Sequence, residues 1–145
     1  MASEKIKGLT VQIGGDTSEL GKSLQALNAK SKATSKELSA INRALKLDPT
    51  NVELLTQKQQ VLSEEIATSK EKVDILRQAQ KKAADQLKNG DIGDAEYRDL
   101  QREVIFAEQH LKKLEQQAVA TGKALEDAGD AADSFGDDVN HAAED

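Results

Sequence analysis

Apolar residues recur at alternating steps of three and four positions through three long segments of this chain. We call the stripe formed by these recurring positions the seam. In the first segment the seam positions are Leu20, Leu24, Leu27, Ser31, Thr34, Leu38, Ile41 and Leu45. The second has Val52, Leu55, Gln59, Leu62, Ile66, Ser69, Val73, Leu76, Gln80, Ala83 and Leu87, and the third has Tyr97, Leu100, Val104, Ala107, Leu111, Leu114, Ala118, Thr121, Leu125 and Ala128. Because a seven-residue repeat keeps one stripe against a partner helix only if the helices supercoil, this spacing predicts left-handed coiled-coil packing. The predicted fold class is all-α, an elongated antiparallel coiled-coil bundle.

Residues that break helices divide the seam into three helices of about 17–46, 51–88 and 94–128. Pro49 disfavours helical geometry in the residue before it and removes a backbone donor, so the first helix should end near Lys46. Two caps are possible for the second helix. Either Asp48 is the N-cap with Pro49 at the first helical position, or Thr50 and Glu53 form a capping box.

The second break is the turn from Asn89 to Gly93, which should end helix 2 near Lys88. If Gly93 is the N-cap of helix 3, then Ile92 and Tyr97 occupy the two positions of a hydrophobic staple. This arrangement gives the chain's single tyrosine a structural role.

Short connections favour antiparallel neighbours, and the residue numbers agree with that arrangement. Seam positions of helices 1 and 2 face each other where their numbers sum to 100, as for Leu24 with Leu76 and Leu38 with Leu62. Ser31 would then face Ser69, which either fixes the register or is a tolerated thinning of the core. For helices 2 and 3 a sum of 180 pairs Leu76 with Val104, Ala83 with Tyr97 and Ile66 with Leu114, although a shift of one heptad fits nearly as well.

The composition favours burial along narrow seams between helices rather than in a thick globular core. Of the 145 residues, 37% are apolar and only 2% are aromatic, while 32% are charged. Burial must therefore come from Leu and Ala along the helices. The absence of cysteine excludes disulfides and Cys-based metal or nucleophile sites. We find no signal peptide and no apolar run that could cross a bilayer, so we expect cytoplasmic synthesis and no membrane anchor.

Charge is unevenly distributed along the chain. The net charge is −6, but no Lys or Arg follows Lys123. Residues from Glu126 onward include eight acidic side chains, which leaves the rest of the chain slightly basic. We therefore divide the chain into an N-terminal strand and turn (1–16), a helical domain (17–128) and an acidic flexible tail or linker (129–145). The absence of a basic face with aromatic residues argues against nucleic-acid binding.

The N-terminal segment of residues 6–13 alternates apolar and polar residues, which predicts one short β-strand. Leu9, Val11 and Ile13 form its apolar face. Because a lone strand leaves its backbone groups unpaired, it must fray, pack on the bundle or pair with a strand of another subunit. The strand is therefore a candidate oligomerisation element.

The remaining candidates for packing or oligomerisation lie on the helices. They are Leu24, Leu38, Leu62, Leu76, Phe106, Leu111 and Leu114. Ile105, Phe106 and Val119 fall outside the seam, where they either widen the core stripe or contact another subunit. We favour widening for Ile105 and leave Phe106 open.

The sequence offers no catalytic, cofactor or metal site that we can identify, and we expect a protein that is not an enzyme. His110 and His141 have no partners at metal-ligand spacing, and His110 reads as a surface residue. The Gly14-Gly15-Asp16 run lacks the lysine of a phosphate-binding loop, and Asp91 and Asp94 are better explained as turn and cap residues.

Two stretches resemble a known family. The segment KIKGLTVQIGGDT at residues 5–17, with INRALKLDPTN at 41–51, resembles the N-terminal region of tape measure proteins from long, non-contractile-tailed bacteriophages. The segment NGDIGDAEYRDL at 89–100 resembles the hairpin that follows in that family. The resemblance covers the chain to about Leu125, and the strand with Gly-Gly-Asp and the Leu-Asp-Pro turn are its most distinctive parts.

The resemblance implies a structural role in a phage tail or prophage. Tape measure proteins are long helical chains in the tail lumen whose length sets tail length while tube subunits polymerise around them. This chain is too short to be a ruler and would be an N-terminal piece. Implied partners are further copies of the chain and tail-tube, tail-terminal or tail-assembly chaperone proteins; the implied location is the virion, preceded by the host cytoplasm.

Two other function classes remain open from the residues alone. One is a generic cytoplasmic coiled-coil adaptor. The other is a dimerising helical module at a membrane surface, which is less favoured because the lysines alternate with acids instead of forming a basic face.

Overall fold

The computed structural model describes residues 3–5, 12–14 and 18–144, with side-chain placement for residues 20–129. Three helices dominate it: α1 (Ser18–Leu47), α2 (Val52–Asn89) and α3 (Asp94–Glu144). The all-helical fold class and the three helices are confirmed. No helix among these residues combines the length and apolarity needed to cross a membrane.

Two three-residue strands precede the helices, β1 (Ser3–Lys5) and β2 (Gln12–Gly14). They pair antiparallel, with Glu4 opposite Ile13, and β2 lies against α2. The single strand expected over residues 6–13 stays a prediction, because residues 6–11, including Leu9 and Val11, lie outside the described residues.

The helices pack in antiparallel order, and α2 packs against both of the others. Leu24 of α1 shares a buried cluster with Leu76 of α2, while Thr34, further along α1, meets Glu65, earlier on α2. The residue numbers of the first pair add up to the predicted 100, and those of the second pair add up to 99. Between α2 and α3, Gly122 lies beside Gln59, with 3.7 Å from an added Cβ to Gln59 Nε2. The residue numbers of this pair add up to 181, in agreement with the predicted register, in which facing residues of α2 and α3 add up to 180.

The N-cap of α2 differs from both of the caps predicted from the sequence. Asn51 is the N-cap: its side-chain oxygen accepts from Leu54 N at 3.0 Å, and its Nδ2 donates to Asp48 Oδ2 at 3.0 Å. Neither an Asp48 cap nor a Thr50 capping box forms. Asparagine satisfies a free backbone donor of the first helical turn as well as those alternatives would.

The turn between α2 and α3 is a glycine-ended helix terminus. Gly90 adopts φ +82°, and Asp91 N donates to Gln86 O at 2.7 Å, which is the six-to-one hydrogen bond of a Schellman motif. Gly93 O then accepts from Tyr97 N at 3.2 Å, as expected of the residue before helix α3. Ile92 is buried and Tyr97 packs on the same cluster, in agreement with the staple.

Helix α3 does not end near residue 128 but continues to Glu144. We predicted a flexible tail because this segment is acidic and has few apolar residues. Two features of the sequence favour helix instead. Alanine, the best helix former, is frequent there, and the three-four spacing continues at positions 128, 132, 135, 139 and 142 as Ala, Ala, Phe, Val and Ala.

Candidate functional site

The most unusual feature of the core is a buried carboxylate where the three helices meet. The Glu65 side chain is only 3% exposed, although it lies near the middle of α2. It accepts hydrogen bonds from the hydroxyls of Ser31 and Thr34 on α1, one on each carboxylate oxygen. On the other side, Nε2 of His110 on α3 lies 3.7 Å from Glu65 Oε1. We call these four residues the Glu65 cluster.

Helical spacing explains how these residues converge. Ser31 and Thr34 are three apart and lie on one face of α1, where leucine occupies the seam on either side. Glu65 is three residues after the buried Leu62 and four before the buried Ser69, so it falls beside the seam of α2. The polar gap in the seam of α1 is therefore filled by a carboxylate from α2.

Burial makes these hydrogen bonds energetically important. A carboxylate removed from water loses its hydration, so it needs charge-assisted hydrogen bonds to remain in a core. Thr34 Oγ1 also lies 3.2 Å from Lys30 O and 3.0 Å from Ser31 O, but its single hydrogen is best used on the charged acceptor. His110 is 56% exposed and adds a positive charge only when protonated. The hydroxyls of α1 are thus the main compensation for the Glu65 charge.

The cluster borders a surface depression of about 210 Å³ between α2 and α3. Its lining includes Ser69, Lys72, Glu103, Phe106 and His110. Among the residues that the structure describes, no group of three or more His, Cys, Asp or Glu side chains could hold a metal ion. The chemical role of the Glu65 cluster is to link α1, α2 and α3 through one buried carboxylate.

Sequence reasoning missed Glu65 and expected Ser31 to face Ser69. In the structure Ser69 is buried, but the hydroxyl of Ser31 donates to Glu65. The available signal was the pair of polar positions, Ser31 and Thr34, in an otherwise apolar seam. His110, interpreted as a surface residue, is exposed yet belongs to the cluster.

The structure separates the predicted packing residues into core and surface. Leu24, Leu62, Leu76 and Leu114 are buried, whereas Leu38 and Leu111 are partly buried. Phe106 is 63% exposed, and Ile13 lies in β2. The preference for a wider core stripe is wrong for Ile105, which is 52% exposed because it lies on the outer side of the adjacent Val104 seam position.

Other exposed apolar side chains lie at the α1–α2 turn. Leu47 is 90% exposed and Val52 is 42% exposed. An ion pair joins α2 and α3 near their exposed surface, where Arg77 Nη2 lies 2.9 Å from Glu108 Oε1. Such an exposed pair contributes little to stability.

Comparisons of the chain with protein-family models, with curated proteins and with solved structures find no match.

Proposed function

We propose that this chain is the N-terminal part of a tape measure protein, acting as a structural, non-enzymatic component of phage tail assembly in a virion or prophage. The observation that carries the proposal is the pair of segments at 5–17 and 41–51, a strand pattern ending in Gly-Gly-Asp and a helix ending in Leu-Asp-Pro, which resemble that family. In this role the helices form a coiled coil that self-associates and contacts tail-tube, tail-terminal or assembly-chaperone proteins.

The packing of the molecule suits a structural role. Its buried side chains are distributed along the lengths of α1, α2 and α3, and the largest fully buried ones are leucines from all three helices: Leu24, Leu62, Leu76 and Leu100. Its buried charge is used to join helices. An elongated bundle of this kind presents long surfaces to other chains, as an assembly protein requires.

The decisive experiment is binding of the purified chain to tail-tube, tail-terminal and assembly-chaperone proteins encoded beside it in the same genome. We expect at least one to bind, and we expect peptides of this chain in purified virions. Absence of binding to all three, together with absence from virions, would leave the generic coiled-coil adaptor as the better reading.

Variants in the N-terminal segment test which surface is used. Replacing Leu9, Val11 and Ile13 with serine removes the predicted apolar face, whereas replacing Thr10 and Gln12 with alanine alters the opposite face. We expect the first set to weaken partner binding at least tenfold and the second set to leave it unchanged, with the same helix content by circular dichroism. Equal effects would mean that this strand face makes no contact.

The membrane-surface alternative is tested by sedimentation with anionic liposomes. We expect the chain to remain in the supernatant, because its lysines are interspersed with acidic residues. Salt-sensitive sedimentation with the liposomes would instead favour that alternative.

A further inference from the structure

The turn between α2 and α3 carries the chain's single Asn-Gly sequence, at residues 89 and 90. Asparagine followed by glycine is the pair that loses its side-chain amide most readily, because glycine has no Cβ to hinder attack by its own backbone nitrogen. Asn89 is the last residue of α2 and is exposed, as is Gly90. Both reacting groups therefore lie at a helix end that water can reach.

The other four asparagines of the chain are less suited to this reaction. Asn28, Asn42 and Asn140 lie inside helices and precede residues that carry a Cβ. Asn51 precedes a β-branched valine, and its side chain makes two hydrogen bonds as the N-cap of α2. The sequence and the structure therefore single out Asn89.

The closed end of α2 restrains the reaction. Gly90 N donates to Leu87 O at 3.1 Å, and Asp91 N donates to Gln86 O at 2.7 Å. Attack on the Asn89 side chain requires the Gly90 nitrogen to leave its hydrogen bond and the backbone of Asn89 to leave its helical angles. Both requirements are met only when the last turn of α2 opens, so the reaction rate depends on how often that turn frays.

From these observations we propose that Asn89 is a site of spontaneous deamidation, gated by opening of the α2–α3 turn. In the opened turn the backbone nitrogen of Gly90 attacks Cγ of Asn89. A bond forms between these two atoms, the Cγ–Nδ2 bond breaks, and ammonia leaves with the proton of the Gly90 amide, which produces a five-membered succinimide. Water then opens the ring at one of its two carbonyls and leaves aspartate or isoaspartate at residue 89.

Both products weaken the turn that controls the reaction. A carboxylate at residue 89 lies at the electronegative end of the α2 dipole, two residues before another acid, Asp91. Isoaspartate also adds a methylene to the main chain, so the bond from Asp91 N to Gln86 O loses its geometry. Ile92, which is buried just beyond this bond, then loses its fixed approach to the α2–α3 core. Deamidation therefore converts a closed turn into an open one.

The test follows the purified full chain by peptide mapping and mass spectrometry during incubation under mildly alkaline conditions. One sample is kept folded in buffer and the other is unfolded in urea, and each asparagine is monitored for replacement of its amide NH2 by OH. We expect aspartate and isoaspartate at residue 89 before any other position, and a rate at least tenfold lower in the folded chain than in urea. Asn89→Gln should abolish the reaction, because its longer side chain does not close a five-membered ring.

Ile92→Ala tests the gate. It removes a side chain that is only 7% exposed and holds the turn on the core, so deamidation of the folded chain should accelerate at least threefold. Ile105→Ala is the matched control, because Ile105 is 52% exposed on α3 and its loss should leave the rate unchanged. In urea these two variants and the wild-type chain should react at the same rate, since all three keep the Asn-Gly sequence.

Three results would overturn the proposal. The first is a folded chain that stays intact at residue 89 for about a hundred half-lives of the unfolded chain, since a fraying helix end is open more often than that. The second is an equal rate in the folded and unfolded chains, and the third is equal acceleration by Ile92→Ala and Ile105→Ala. None of these measurements needs a tail protein, so failure of partner binding would bear only on the proposed function.

Discussion

At the scale of single residues, the Glu65 cluster decides how the middle of the bundle is held together. Leucine would fill the space opposite Ser31 and Thr34 without any cost of burying charge. A carboxylate there is stable only while hydroxyl donors from α1 reach it, so it disfavours any register in which those donors are displaced. The cluster therefore makes the register of the α1–α2 interface specific, at some cost in stability compared with an apolar core.

Replacing Thr34 with valine tests this role. The change keeps the side-chain shape but removes a hydroxyl that donates to the buried Glu65 carboxylate, so the free energy of unfolding should fall by about 1.5 to 3 kcal/mol. Thr68→Val is the matched control. Thr68 is equally buried, but its hydroxyl bonds only the carbonyl of Glu64 at 3.0 Å, and its loss should cost less than about 1 kcal/mol. Both are measured by urea unfolding.

A double-mutant cycle separates the hydrogen bond from the packing. In a Glu65→Leu background the carboxylate is absent, so Thr34→Val should cost no more than Thr68→Val does. If Thr34→Val costs the same in both backgrounds, its hydroxyl does not act through Glu65.

At the scale of secondary-structure elements, local rules account for most of the helix boundaries. Pro49 and the Asn89 to Gly93 turn place the ends of α1 and α2 within one residue of the structure, and Gly93 marks the start of α3. Gly90 is the position where glycine is required, because its φ of +82° strains any residue with a Cβ. Asn51 shows the limit of these rules, since several neighbouring residues could have capped α2.

Gly90→Ala should lower the free energy of unfolding by about 1 kcal/mol through backbone strain alone. An added Cβ meets nothing within 4 Å at either Gly90 or Gly93, and no positive φ occurs at Gly93. Gly93→Ala is therefore the matched control and should change stability by less than half as much in the same urea titration. A Gly90→Ala variant with an unchanged free energy of unfolding would show that the positive φ is not what selects glycine at this position.

What the sequence could not predict depends on neighbouring helices. The phase of α2 alone places Glu65 beside the seam, where a charged residue normally reaches water. Its burial becomes evident only when the two hydroxyls of α1 are placed opposite it. Likewise, α3 was expected to end near residue 128 because of the acidic composition that follows, whereas alanine content and continued seam spacing favour the helix that reaches Glu144.

At the scale of the whole molecule, α2 is the central element because it packs against both other helices. At about 57 Å it is shorter than α3, at about 76 Å, yet its buried residues extend from Leu55 to Ala83. Helix α1 packs mainly on α2, and its interface has a polar centre. Stability should therefore be graded across the molecule, with α1 the first helix to separate.

Hydrogen exchange of the wild-type chain in native buffer measures this gradient directly. We expect the slowest backbone amides in the middle of α2, between Leu62 and Leu76, and exchange at least tenfold faster in α1 between Leu24 and Ile41, because opening α1 leaves the α2–α3 pair intact. Thr34→Val should accelerate exchange in α1 while leaving the paired region of α3 near Val104 unchanged. Uniform exchange across all three helices, with uniform acceleration in the variant, would show that the bundle opens only as a whole.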